Sequence, residues 1–141
     1  MIVVIDTSVW VSALHFGART GKPWLAIEYA ARYHTLATCS ELDAEIKRIL
    51  MERFDWHPDL ASETMRGYSA DAIQIKITGS LHICRDPNDD MILECAVIAG
   101  AQMIISGYKD LLVLDGYRGI RIVTPGESIG TLSVQGPTPA L

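Results

Sequence analysis

The sequence contains few cysteines, few aromatic residues and no long apolar run. Its three cysteines, Cys39, Cys84 and Cys95, are odd in number and lack CxxC or Cys/His spacing, so neither a disulfide framework nor bound zinc is expected. No apolar stretch reaches the roughly 20 residues that span a bilayer, and the opening run 1–5 lacks the basic flank of a signal peptide. These absences favour a protein of the reducing cytoplasm that does not enter a membrane.

Positive charge is also scarce. The chain carries 12 Lys and Arg against 17 Asp and Glu, and its formal net charge of -5 argues against holding nucleic acid by bulk electrostatics alone. An acidic site that gathers divalent cations can still contact phosphate through the metal. The sequence shows no internal repeat, P-loop or GxGxxG motif, so it lacks the glycine-rich loops that cradle nucleotide phosphates.

The 141 residues, 49% of them hydrophobic, suit one domain with a real core. Strand-like segments alternate with helical ones, which predicts an α/β fold: a three-layer α/β/α sandwich around a mostly parallel sheet of about five strands. The predicted strands are 2–5, 35–39, 81–84, 103–107 and 119–123, and residues 60–77 are expected to form one long helix or two shorter ones. The domain is expected to cover residues 1–127, followed by a poorly ordered tail, 128–141, rich in Gly, Pro, Ser and Thr.

The most informative stretch is RDPNDDMILECAVIAG, residues 85–100. Its Asp-Pro-Asn segment has turn and capping chemistry, and Gly100 is a natural stop, so a helix is predicted over 88–99. At about 100° of rotation per residue, Asp89 falls at the edge of the apolar face and Asp90 points outward. Asp89 is then either a charge favoured by the helix dipole or a metal or catalytic ligand.

Four carboxylates occupy comparable places in the predicted fold. Asp6 follows the first strand, Glu45 borders the apolar stripe of a helix, Asp89 begins a helix, and Asp110 follows a later strand. Each has an ordinary interpretation, such as a helix cap for Asp6, but the carboxyl ends of parallel strands are where α/β sheets bind ligands. Oxygen ligands without His or Cys select Mg²⁺ or Mn²⁺, and such sites commonly hydrolyse phosphodiesters.

With these residues in place, the sequence resembles the PIN domain family, within it the toxin components of toxin–antitoxin systems. The matching stretches are VIDTSVWVSAL, SELDAEIKRIL, RDPNDDMILECAVIAGAQMIIS, KDLLVL and GIRIVTPGE, which together reach residue 127. The resemblance implies a Mg²⁺- or Mn²⁺-dependent endoribonuclease with a parallel sheet and an acidic pocket. It further implies metal-binding roles for Asp6, Glu45 and Asp89, control by a small antitoxin, and a homodimer.

One position departs from this family pattern. Members of the subgroup usually carry Gly-Asp-Lys-Asp-Leu-Leu, whereas this chain has Tyr108 in place of the first Asp. A phenol is a poor metal ligand, so either Asp110 supplies the fourth oxygen, directly or through water, or a second metal is weak. Two alternatives remain: an RNA- or partner-binding module whose catalysis is weakened or lost, and another metal-dependent phosphohydrolase on a similar sheet. The second ranks lower because no further Asp stands two residues after Asp6.

Overall fold

Five short parallel strands form the centre of the molecule. The computed structural model describes residues 1–16 and 20–133. The strands are Ile2–Ile5 (β1), Thr35–Thr38 (β2), Ile73–Gln74 (β3), Met103–Ile105 (β4) and Arg121–Val123 (β5). Their order across the sheet is β3-β2-β1-β4-β5, and all neighbouring pairs are parallel. The predicted sheet is therefore confirmed.

Helices cover both faces of this sheet and complete the three-layer α/β/α sandwich. In the described residues they are Thr7–Val11 (α1), Gly21–Tyr33 (α2), Ser40–Phe54 (α3), Pro58–Ser69 (α4), Pro87–Ala99 (α5), Lys109–Leu112 (α6) and Pro125–Ser133 (α7). A π-helical turn, Ser12–Phe16, continues α1, and a 3-10 turn, Tyr117–Gly119, precedes β5. No helix within these described ranges is both long and apolar enough to cross a membrane.

The core lies where β1 and β4 pass between the two helical layers. Val3, Val4 and Ile5 are all buried although neighbouring side chains of a strand point to opposite faces, so both faces of β1 are covered. Leu93 of α5 and Ile104 of β4 join the same cluster. The continuous apolar runs of these strands therefore reflect their central position in a parallel sheet.

Helix α5 begins and ends at the signals found in its sequence. The carboxylate of Asp86 accepts the backbone N–H of Asn88 at 2.9 Å, and Pro87 occupies the first turn. At the other end Gly100 adopts a left-handed conformation with φ of 68°. The predicted helix over 88–99 is thus confirmed with one additional residue at its start.

The predicted strand at 81–84 is wrong. The third strand is instead β3, which pairs with β2 through Ala37 and Ile73 and lies within the region expected to be helical up to residue 77. The backbone N–H groups of Leu81, Ile83 and Cys84 donate to side-chain carboxylates of α5 and not to a neighbouring strand. These carboxylates provide hydrogen-bond acceptors for the backbone N–H groups, so the segment is stable as a loop. Its apolar residues did not indicate this.

Helix α7 extends past residue 127, where the sequence placed the end of the domain. Leu132, in its last turn, is 0% exposed, and its carbonyl oxygen lies 3.1 Å from Nε2 of His34. The helix packs along α2, so this part of the predicted tail belongs to the folded domain. Apolar residues at helical spacing, such as Ile129 and Leu132, were outweighed in the prediction by the surrounding Gly, Ser and Thr. The remainder of the predicted tail, 134–141, lies outside the described residues.

Candidate functional site

The carboxyl ends of β1 and β4 lie side by side at the point where the strand order changes direction. From β1 the chain goes on to β2 on one side of the sheet, while β4 pairs on the other. The backbone N–H of Asp6 donates to the carbonyl oxygen of Ile105 at 3.0 Å, so both strands end at the same level. Such switch points form crevices that bind ligands in open α/β sheets.

Asp6 is buried in this crevice and held by hydrogen bonds. Its side chain is 1% exposed, and Oδ1 accepts the N–H and the hydroxyl of Ser8 at 2.9 and 2.6 Å. The hydroxyl of Ser106 donates to Oδ2 and accepts the N–H of Tyr108 at 2.9 Å. Asp6 therefore has two roles. Its Oδ1 caps the N-terminus of α1, and its Oδ2 is held by Ser106 within the crevice.

Three of the four predicted carboxylates line one small cavity. Its volume is about 40 Å³, and its walls include Asp6 from the end of β1, Glu45 from α3 and Asp89 from the first turn of α5. Asp89 is 6% exposed, as expected for a position at the edge of the apolar face. Residues separated by more than 80 positions thus meet because β1, α3 and α5 converge at this edge of the sheet.

Asp110 lies outside this cavity, in an open depression beside it. The depression has a volume of about 350 Å³ and is also lined by Asp89, Tyr108 and Lys109. One oxygen of Asp110 forms an ion pair with Nη2 of Arg85 at 2.9 Å. Asp110 is therefore close to the acidic cavity without sharing its walls with Asp6 and Glu45.

Two residues of the site were not singled out in the sequence. Asp86 lines both the cavity and the depression while its carboxylate caps α5. Ser106, fully buried, fixes Asp6 from the end of β4. Their signals were present, since one is the Asp of Asp-Pro-Asn and the other follows a buried strand, but both matched ordinary capping or turn chemistry.

Burial and mutual repulsion make ionisation of the clustered carboxyl groups unfavourable. Burial, followed by the charges of Asp86 and Asp6, raises the pKa of the Asp89 carboxyl to about 6. Burial also raises the pKa of Asp6, although hydrogen bonds from Ser106 and Ser8 offset part of that rise. The cavity therefore concentrates negative potential that a cation would relieve.

Glu45 is oriented by neighbours on α3 and α5. The guanidinium of Arg48 holds both of its carboxylate oxygens, at 2.8 and 3.1 Å, and Arg48 also pairs with Glu52. Nδ2 of Asn88 lies 3.5 Å from Oε1 of Glu45. The carboxylate is thus kept beside the cavity, with its charge partly balanced by Arg48.

The prediction that Asp90 points outward is wrong. Asp90 is 8% exposed, and Oδ1 accepts the backbone N–H groups of Ile83 and Cys84 at 2.9 and 2.8 Å. Glu94, one turn further on, accepts the N–H groups of Thr78, Gly79 and Leu81. Because the loop folds over this side of α5, both carboxylates fasten the loop and are not turned towards the acidic cavity.

The donor chemistry of the cavity fits a hard divalent cation. Asp6, Glu45 and Asp89 offer only oxygen donors, the type that Mg²⁺ and Mn²⁺ prefer. Across residues 1–16 and 20–133, no three His, Cys, Asp or Glu side chains are grouped closely enough to hold a metal ion. Binding would therefore require the carboxylates to move closer together than they are here.

Tyr108 lies in the wall between the cavity and the depression. Its side chain lines both spaces and is about half exposed. Burial raises the pKa of the phenol, and the charges of Asp6 and Asp89 raise it further. The position that usually carries a carboxylate in the family resembled by this sequence therefore presents a neutral hydroxyl to the site.

Comparison with known proteins relates the chain to a protein family and to a solved structure of similar fold. A family model described as PIN domain matches residues 2–110, more than half of the chain. The crystal structure of VapBC2 from Rickettsia felis bound to a DNA fragment from their promoter contains a chain of similar fold, with a TM-score of 0.62 and 15% sequence identity. The match covers 86% of the present chain and 97% of that chain, and at this identity it concerns the fold alone. No curated protein shows a significant sequence match.

Proposed function

This chain belongs to the PIN domain family, and from its acidic site we propose that it is a divalent-metal-dependent endoribonuclease that hydrolyses RNA phosphodiesters. The observation that carries the proposal is the convergence of Asp6, Glu45 and Asp89 on one cavity at the switch point of the sheet. Proteins of the family are generally nucleases, and the oxygen-only donor set suits Mg²⁺ or Mn²⁺.

In this proposal some residues of the site bind the cation and others complete its coordination or orient the attacking water. Asp6 and Asp89 would anchor the cation, with Ser8 and Ser106 fixing the rotamer of Asp6. Glu45, or Asp110 from the adjoining depression, would complete the coordination or orient the attacking water. When bound, the metal would activate water and neutralise charge on the phosphate.

The basic residues near the site are unequally available to the substrate. Arg48 is engaged by Glu45 and Glu52, and Arg85 by Asp110. Lys109 lines the open depression and is exposed. Lys109 is therefore the simplest candidate for a phosphate contact at the mouth of the cavity.

The proposal extends to a toxin of a toxin–antitoxin pair, acting in the cytoplasm and forming a homodimer. The resemblance of the motifs to that subgroup supports it, as does the similarity of fold to a chain of the VapBC2 complex. A small antitoxin is accordingly the proposed protein partner. Co-expression with the neighbouring open reading frame, followed by co-purification, tests for that partner.

The direct experiment is cleavage of a mixed pool of structured and single-stranded RNAs in Mg²⁺, Mn²⁺ or EDTA. Wild type is compared with Asp6→Asn and Asp89→Asn, which keep the side-chain shape and remove the charge. Asp71→Asn, an exposed position away from the cavity, is the matched control. Metal-dependent cleavage that both site variants abolish supports the proposal, and wild-type protein that cleaves nothing in any metal contradicts it.

A second candidate function is an RNA- or partner-binding module with weakened or lost catalysis. It is favoured by Tyr108, whose neutral phenol lies in the wall of the site. The same cleavage experiment separates the two functions when RNA binding is measured beside it. Retained binding without cleavage supports the module, and restored cleavage in Tyr108→Asp would identify Tyr108 as the cause.

A further inference from the structure

Four aromatic side chains cluster at the end of α3 and the end of the π-helical turn. His15 stacks against Phe54 with ring centroids 4.2 Å apart, and Phe16 meets both rings edge to face at 4.7 and 5.3 Å. Nε1–H of Trp56 donates to Nδ1 of His15 at 3.1 Å. The side chain of Phe16 remains 66% exposed above these partners. The cluster therefore presents one exposed ring on a support of packed rings.

The two helical elements that carry the aromatic cluster, α1 with its π-helical continuation and α3, also border the acidic cavity. Helix α1 begins directly after its N-cap Asp6, and its π-helical continuation ends at Phe16. On α3, Glu45 and Ile49 line the cavity, and Arg53 lies one further turn along, about 12 Å from Glu45 at the helical rise of 1.5 Å per residue. Isolated π-helical turns in proteins frequently occur at functional sites. Phe16 and Arg53 thus lie on the two helical elements that extend away from the cavity.

Arg53 is an exposed cation that directly precedes Phe54 of this cluster on α3. None of the ion pairs found within 1–16 and 20–133 involves Arg53, whereas Arg48 and Arg85 are each paired with site carboxylates. A protein with a net charge of -5 needs such local cations to hold an anionic chain.

We propose that Phe16 and Arg53 form a nucleotide-binding subsite beside the acidic cavity. An unpaired RNA base stacks on the exposed face of Phe16, and the guanidinium of Arg53 binds a phosphate of the same strand. This inference rests on the proposed ribonuclease function and adds the residues that would position the substrate. An aromatic face selects unpaired bases because a base inside a duplex is already stacked.

The occupant follows from the combination of groups. An exposed aromatic ring alone would suit a protein partner or a second copy of this chain. The exposed guanidinium of Arg53, on the residue before Phe54 of the cluster, favours a ligand that carries negative charge and flat rings together, which is the chemistry of a nucleotide. Continuity with the acidic cavity along α1 and α3 places this nucleotide on the same strand as the bond to be cleaved.

The test measures RNA binding independently of cleavage. A fluorescently labelled, unstructured oligoribonucleotide of about ten residues, a length spanning one binding groove, is titrated with the cleavage-silenced Asp89→Asn protein. The same oligoribonucleotide annealed to its complement is titrated in parallel. In this background Phe16→Ala is compared with Phe16→Tyr, which keeps the ring, and with Leu60→Ala, which removes another exposed apolar side chain from α4.

Phe16→Ala is expected to weaken binding of the single strand roughly tenfold or more, while Phe16→Tyr and Leu60→Ala bind as the parent does. Arg53→Gln is expected to weaken binding and to reduce its salt dependence by about one counterion, whereas Arg66→Gln on α4 leaves both unchanged. The duplex is expected to bind more weakly and without sensitivity to Phe16. Equal single-strand affinity in Phe16→Ala and the parent overturns the inference.

The outcome separates this inference from the proposed function. Metal-dependent cleavage by wild type, with RNA affinity unaffected by Phe16→Ala, rejects the subsite and leaves the ribonuclease standing. Phe16-dependent RNA binding without cleavage retains the subsite and rejects the ribonuclease. A change of sedimentation mass in Phe16→Ala with unchanged RNA affinity would make the cluster an interface between copies and overturn the inference. Circular dichroism of each variant confirms that it is folded.

Discussion

Asp89 lies where its own negative charge is unfavourable. Burial and the neighbouring charges of Asp86 and Asp6 raise the pKa of its carboxyl from an ordinary value of 3.8 to about 6. Between those two pH values the folded protein holds a proton on Asp89 more readily than the unfolded chain does. The stability contributed by this proton is complete below pH 3.8 and is lost as the pH rises through 6. At neutral pH the ionised Asp89 therefore destabilises the metal-free fold.

Asp89→Asn should consequently stabilise the metal-free protein at neutral pH. Removing the charge should raise the free energy of unfolding by on the order of 1–3 kcal/mol above pH 6, with no gain below pH 3.8. Thermal unfolding in EDTA from pH 3.5 to pH 8 measures this dependence, with Asp71→Asn as an exposed control. A destabilised Asp89→Asn protein at pH 8 would show that the carboxylates do not repel one another as the structure implies.

Tyr108 provides a second residue-scale prediction. Its side chain lines both the cavity and the depression, so Tyr108→Asp would add a carboxylate beside the one on Asp89. Isothermal titration with Mn²⁺ is expected to show roughly tenfold tighter binding, because charge and oxygen count set the affinity for hard cations. Tyr108→Asn, which also removes the ring but adds no charge, should bind Mn²⁺ as wild type does. Equal affinities in all three proteins would discard the idea that Tyr108 weakens the metal site.

At the scale of elements, α5 holds the loop that the sequence predicted as a strand. Desolvation raises the pKa of Asp90, but hydrogen bonds from Cys84 and Ile83 lower it below its ordinary value overall. Hydrogen bonds, led by that from the Thr78 N–H, likewise lower the pKa of Glu94. A lowered folded pKa gives stability that is present above the unfolded pKa and lost as the pH falls through the folded value. The loop is therefore expected to loosen first in acid.

Glu94→Gln tests this fastening directly. Oε2 accepts the N–H groups of Thr78 and Gly79, and Oε1 accepts that of Leu81, so whichever oxygen becomes an NH₂ group can no longer accept its hydrogen bonds. The loss should cost about 1–3 kcal/mol and should increase amide hydrogen exchange in residues 78–84 more than in β1 or β4. Glu63→Gln on the exposed side of α4 is the matched control. Unchanged exchange in 78–84 would mean that Glu94 does not hold the loop.

The sequence predicted those elements whose local pattern and tertiary position agree. The run in β1 and the caps of α5 each have one compatible environment, so their boundaries agree with the structure to within about one residue. In the segment 81–84 the local pattern and the tertiary position disagree. Its backbone amides donate to Asp90 and Glu94, and no local sequence pattern indicates those contacts. Likewise, only two residues of β3 pair with β2, too few to produce a periodic signal.

The site was predictable to a similar extent and for the same reason. Asp6 and Asp89 stand at positions where an α/β sheet gathers ligands, and Glu45 became a candidate only in combination with them. Asp110 lies in the outer depression, where it pairs with Arg85, 25 residues earlier in the chain, and no local pattern indicates that contact. The contribution of Asp86 to the negative potential was hidden by its capping role, since one carboxylate performs both tasks.

At the scale of the whole molecule, the proposed binding of a cation in the acidic cavity would be coupled to folding, in a chain whose net charge is -5. A cation that binds only the folded chain stabilises it by mass action, by about 2.7 kcal/mol at 100 times the dissociation constant. Relief of the repulsion that Asp86 and Asp6 exert on Asp89 would be the physical source of that affinity. The unfolded chain, in which these residues are far apart, offers no comparable site.

Mn²⁺ should therefore raise the Tm of the wild-type protein by several degrees, and EDTA should reverse the shift. Asp6→Asn should abolish most of the shift because it removes the most buried carboxylate of the cavity, whereas Asp71→Asn should retain it. Scanning calorimetry at pH 7.5, above the raised pKa of Asp89, keeps that carboxyl ionised without metal. An equal Tm in Mn²⁺ and EDTA, measured beside RNA cleavage that requires Mn²⁺, would mean that the metal enters only with the substrate. The carboxylates would then depend on the RNA phosphate to complete the coordination.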